Sequence, residues 1–160
     1  MSSRSHTNPE TENTGAVTAS EETTNLAQRH FRWGWWCLLL FVGLGVVLET
    51  LHAFKVGSYL NVGNETRRLM WTLAHAHGTL LALVHVAFGA TVALSGSPQP
   101  RNRFWASRCL IYSALFIPLG FFLGGLDTHG GDPGLGVLFV PVGAALLLSA
   151  IAMTANSLRR

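Results

Sequence analysis

The chain has 160 residues, 49% of them hydrophobic and only 12% charged, with a net charge of +3 and a pI of about 9.4. A soluble domain carries roughly 25% charged residues, and here the apolar residues are gathered after position 32 in four long runs. This distribution excludes a soluble enzyme, a disulfide-stapled secreted domain and a nucleic-acid reader. The basic residues lie beside the apolar runs, where membrane orientation is decided.

Residues 1–28 hold no aromatic residue and ten Ser or Thr, with Glu10, Glu12, Glu21 and Glu22 against Arg4. Such a segment buries too little apolar surface to offset its chain entropy, which predicts a disordered polar tail. A helix is expected to begin between Ser20 and Thr24, whose side chains can cap its free N–H groups. The tail is too long and acidic for a cleavable signal peptide, so the first apolar run is expected to act as an uncleaved signal anchor.

Residues 29–160 form the expected transmembrane domain. The spans run at about Trp33–Leu51, Leu69–Leu94, Phe104–Leu126 and Leu135–Ala155, the last with outer limits at 134–157. The first alone covers about 28 Å as a helix, close to the ~30 Å of a hydrocarbon core. Backbone polar groups cannot be left bare in lipid, and no run alternates with the period of a barrel strand, so each span should be a helix. The expected fold is an all-α integral membrane protein, an antiparallel bundle of four transmembrane helices.

With four spans both termini share one side. That side would hold Arg4, Arg29, Arg32, Arg101, Arg103, Arg108, Arg159 and Arg160, and the other only Lys55, Arg67 and Arg68. Eight against three places the termini in the cytoplasm, as expected of a bacterial inner-membrane protein. Trp33, Trp35, Trp36 and Trp105 suit the inner interface, and Arg67, Arg68 and Trp71 the outer one. A weaker reading gives Arg67 and Arg68 a lipid or quinone head group. Gly120 and Gly124 form a GxxxG pair one turn beyond Pro118, a pattern that allows close helix approach.

Ionisable residues gather toward the expected outer face. Glu49-Thr50-Leu51-His52 ends the first span, His75-Ala76-His77-Gly78 lies early in the second, and Asp127-Thr128-His129-Gly130-Gly131-Asp132 follows the third. Glu49 and His52 are three residues apart and share a helix face. An acid in the bilayer must pair, protonate or bear a cost of about 2.5–3.5 kcal/mol at the centre. His75 and His77 diverge by about 200° around a helix and cannot both point at one centre. One of them, with Glu49, His52 and His129, supplies donors suited to iron, copper or zinc. Opposed to His52 or His129, His75 would suit a bis-histidine haem.

His85 lies deeper, with no evident histidine partner on another span. It is assigned to a proton relay, a five-coordinate haem or a local hydrogen bond, and Asp127 to the surroundings of the site. The absence of Cys-x-x-Cys-His argues against covalent haem. Cys37 and Cys109 read as small buried residues. Asn64-Glu65-Thr66 satisfies a glycosylation sequon, which matters only in a secretory eukaryotic setting. The His-Ala-His-Gly stretch resembles short histidine motifs of several membrane redox proteins, without assigning a family.

The leading expectation is a small multi-pass protein that binds a transition metal or haem as a redox or electron-transfer accessory, within a larger complex or homo-oligomer. The alternatives are a non-catalytic assembly subunit with a polar interhelical cluster, and proton or ion translocation.

Overall fold

The computed structural model describes residues 9–60, 65–95 and 100–158. Arg4, Arg159 and Arg160 of the charge tally and Asn64 of the sequon lie outside the described residues. The described chain is all-helical: α1 (Pro9–Ala53), α2 (Glu65–Leu94), α3 (Pro100–Leu126) and α4 (Phe139–Ser157), the last preceded by a 3-10 turn at Leu135–Leu138. All four helices are long and apolar enough to cross a membrane.

α1 starts well before the expected Ser20–Thr24 boundary. Pro9 suits a first helical position, where no backbone N–H is needed. The helix also gains tertiary support at its middle: Ala27 is buried in a core with Phe88, Val92, Ala106, Leu110 and Ala150, flanked by Leu26 and Phe31. The first apolar run therefore does not mark where α1 begins to pack.

Close approaches fix the register of α1 on α2. A methyl at Gly89 would meet the Ala27 carbonyl, one at Gly34 would meet Val86, one at Gly78 the Phe41 ring, and one at Gly45 the His75 ring. Positions thus rise along α1 as they fall along α2. The GxxxG pair has a comparable role on α3: Gly120 lies against Val140 and the Gly136 carbonyl, and Gly124 against Val137. Pro141 falls in the first turn of α4, where its missing N–H leaves no bond unmade.

Each helix packs chiefly on its neighbours in sequence. In α2 and α3, 39% of the most apolar 18-residue stretch is buried within the protein, against 11% in α1 and α4. The middle helices form the centre, and α1 and α4 flank them.

Candidate functional site

Two groups of polar residues occupy the helix contacts, one at each half of the molecule. The first lies in the half that holds the α1–α2 loop. His75 Nδ1 is 2.7 Å from the Phe41 carbonyl of α1. A carbonyl only accepts, so Nδ1 carries a proton, and a ring with no second proton has its lone pair on Nε2. Gly45 makes room for the ring, since a Cβ there would fall at or within 3.0 Å of Cε1, Nδ1 and Nε2. Glu49, one turn further along α1, lines the same lateral cleft of about 600 Å³, with Val46, Leu48, Phe54 and Tyr59.

His77 faces elsewhere, as the angular separation requires. Its Nδ1 donates to the Leu73 carbonyl one turn back at 2.9 Å, and its ring lies 4.8 Å from that of Phe121 on α3. The two histidines of His-Ala-His-Gly therefore serve opposite flanks of α2.

The expected metal set does not assemble. His52 is exposed near the end of α1. His129 and Asp127 pair with each other at 3.5 Å, both largely solvent-exposed. Their loop is a tight turn in which the backbones of His129 and Asp132 bond reciprocally at 2.9 and 3.2 Å. Gly130 and Gly131 take φ of +59° and +94°, a geometry that glycine adopts without side-chain strain. Turn formation accounts for this segment, and His129 does not line the α1–α2 cleft. Among the described residues no group of three or more His, Cys, Asp or Glu is placed to hold a metal ion. Cys37 and Cys109 are free thiols.

Arg67 and Trp71 join helices. The Arg67 guanidinium donates to the Gly125 and Leu126 carbonyls at 3.1 and 3.4 Å, covering carbonyls that the end of α3 leaves open. Trp71 Nε1 donates to the Phe122 carbonyl at 3.3 Å, its ring stacked between Tyr59 and Phe122. Gly125 leaves space for that indole. Arg68 pairs with Glu65 at 3.7 Å at the surface.

The second polar group centres on buried His30, His85 and Ser107, with Arg29 at its exposed end, and the sequence alone points to only half of it. His85 does have a histidine partner: its Nδ1 lies 2.7 Å from Nδ1 of His30 on α1. Both side chains are 0% exposed. His30 Nε2 is 2.8 Å from Ser107 Oγ on α3, and Arg29 donates to that same oxygen at 2.6 Å. Phe88 and Trp33 close over the imidazoles, with ring centroids 4.5 Å from His30 and 6.4 Å from His85 respectively. The apolar run that marks the first span begins at Trp33, three residues beyond His30. The longer second span carried the signal, because its last turns need a partner that a 19-residue first span cannot supply.

The chemistry of this network limits it to two directions. Arg29 can only donate, so Ser107 Oγ accepts from it; with a second lone pair and its own proton, that oxygen can pair with either tautomer of His30 at Nε2. Where the Ser107 hydroxyl donates to Nε2, His30 carries its proton on Nδ1 and donates to His85 Nδ1, which leaves the His85 proton on Nε2. That atom meets no full hydrogen-bond geometry, although the Leu110 backbone interacts with the ring. Two nitrogens 2.7 Å apart share a proton and leave no room for a metal between them, since zinc alone requires about 2.0 Å to each nitrogen. The network can tie three helices together and hold fixed tautomers.

The chain matches no known family, no curated protein and no solved structure.

Proposed function

We propose that this is a small multi-pass membrane subunit that presents His75, with Glu49 beside it, to a haem at the outer half of the bilayer. It would serve as an electron-transfer accessory within a larger complex or homo-oligomer. The observation that carries this reading is the bond from His75 Nδ1–H to the Phe41 carbonyl. Metal-bound histidines characteristically donate their other ring N–H to a carbonyl or carboxylate, which fixes ring orientation and strengthens the ligand nitrogen. His75 has that arrangement, beside a cleft lined by Val46, Leu48 and Phe54.

A haem is favoured over a bare ion because the cleft offers one imidazole and one carboxylate. A porphyrin brings four nitrogens and needs only an axial protein ligand. Iron, copper or zinc without a porphyrin would require donors from another chain. In this reading Glu49 is a proton acceptor beside the ligand, and the helices form an antiparallel set with both termini in the cytoplasm of a bacterial cell. The expected topology rests on the excess of Arg near the termini.

The test is an optical spectrum with iron analysis on untagged protein purified from haem-sufficient cells. A Soret band is expected, abolished by His75→Ala and retained in His77→Ala and His52→Ala. Colourless, iron-free protein in its native oligomer defeats the proposal.

A second reading, a non-catalytic assembly subunit, is favoured by the Arg29–Ser107–His30–His85 network, which joins α1, α2 and α3. It expects Glu49→Gln to behave as the wild type in assembly and function, whereas proton acceptance by Glu49 expects a loss.

A further inference from the structure

We propose that the α1 face carrying Arg29, Arg32, Trp33 and Trp36 binds the head group of an anionic phospholipid. With Asn25 and Gln28 these residues line one groove of about 550 Å³. At 100° per residue, the six positions fall within an arc of about 140° on α1. The arc is centred away from the side that meets Gly89, Gly78 and His75 of α2.

Three properties suit the groove to a lipid phosphate. The first is charge: two guanidiniums lie one turn apart and no carboxylate lines the groove. Glu21 and Glu22 stand seven or more residues from Arg29, about 10 Å along the helix, close to a Debye length at physiological ionic strength. The second is preorganisation. Arg29 is held by Ser107 at 2.6 Å, which occupies one of the five N–H donors of its fork. Trp33 is set against His85, so the buried network fixes one wall of the groove. Arg32 is exposed and carries the free charge.

The third property is the gradient along the helix. Asn25 and Gln28 are followed by the arginines, then by Trp33 and by Trp36, which is 69% exposed. The apolar surface of Leu39 and Leu40 comes next, each 65% exposed. This is the order of water, phosphate, interface and acyl chain met on entering one leaflet, with tryptophan at head-group depth. A free phosphate would use the arginines alone and leave the rest of the gradient without a role. The proposal uses only the membrane-spanning character of α1 and does not depend on the haem reading.

The full chain in neutral detergent would be titrated with phosphatidylglycerol, with phosphatidylcholine and with inorganic phosphate, reading bound lipid by native mass spectrometry. Brominated lipids would report quenching of the tryptophans in parallel. Phosphatidylglycerol should be retained in preference to phosphatidylcholine. Arg32→Gln should weaken it about five-fold, the effect of one interfacial cation. Lys55→Gln, just beyond the opposite end of α1, should leave it unchanged, and Trp36→Phe should reduce quenching by the brominated anionic lipid. Equal retention of the two lipids, or undiminished binding in folded Arg32→Gln, overturns the proposal. Competition by millimolar inorganic phosphate alone would identify a free-anion site and overturn it as well.

Discussion

His30 and His85 face each other through their Nδ1 atoms at 2.7 Å, from helices whose packing excludes solvent from both rings. One ring must donate and the other accept. The pair is therefore a directed interhelical bond, and its direction is set by whether Ser107 donates to His30 or accepts from it.

That direction is observable. With Ser107 donating to His30, nitrogen NMR of ¹⁵N-histidine-labelled protein should find the Nδ1–H tautomer at His30, His75 and His77 and the Nε2–H tautomer at His85. A coupling across the hydrogen bond should connect the two Nδ1 nuclei. Ser107→Ala should free the His30 ring to exchange tautomers, while His75 keeps its own. An Nδ1–H tautomer at His85 would show the opposite polarity, with Ser107 accepting from His30.

The bond also has a measurable worth. Removing one partner of a buried pair strands the other, at about 1–3 kcal/mol, so His85→Ala and His30→Ala should each lower stability by that order. The coupling from a double-mutant cycle should be smaller, about 0.6 kcal/mol and below about 1.7, because polar groups in unfolded membrane helices also find partners. Reversible unfolding in mixed micelles measures both quantities. Strictly additive single losses would remove the pairwise bond.

Two glycines on α1 offer a matched comparison. At Gly34 a methyl would lie 2.6 Å from Val86 Cγ2 and 2.9 Å from the Ala82 carbonyl, whereas at Gly43 nothing lies within 4 Å. Gly34→Ala should cost about 1–3 kcal/mol through overpacking. Gly43→Ala should be neutral or gain up to about 1 kcal/mol from helix propensity. Thermal unfolding of the two variants checks the register of α1 on α2, and equal behaviour would contradict it.

Lys55 has a φ of +51° just beyond the end of α1. The Val56 and Lys55 amides donate to the Leu51 and His52 carbonyls at 3.0 and 3.1 Å, so the left-handed residue completes the cap. An L side chain there costs about 1–2 kcal/mol relative to a relaxed backbone. Lys55→Gly should therefore stabilise the protein by about 1 kcal/mol, read as a rise in unfolding midpoint.

The four helices were legible because long apolar runs leave the backbone few other ways to bond in lipid. The divergence of His75 and His77 was legible as well, since it follows from helical pitch alone. What each histidine touches was not. The Phe41 carbonyl that holds His75 belongs to no recognisable motif, because every residue has a carbonyl. His30 was hidden by its polar neighbours: Gln28, Arg29 and Arg32 resemble a solvated flank, yet the helix turns His30 inward and leaves Arg32 outside. The attraction of the glycine-rich Asp127–Asp132 segment as a ligand loop came from composition, whereas backbone bonds across its turn determine its shape.

The sequential packing of α1 to α4 leaves the set with two free ends, in the sense that an open sheet has two edges. A further helix could be laid beside α1 or α4 while the interior stayed as it is. In lipid that addition gains little from greasiness, because the displaced chains are as apolar as the helix. Selection of a neighbour must then rest on contour and on the few polar atoms within reach. On α1 the bare Gly43 offers a notch in the contour, while the Glu49 carboxylate stands about 120° around the helix, on the side of the cleft. Contour and polarity thus sit on separate faces of α1, and a neighbour laid on either would meet a different code.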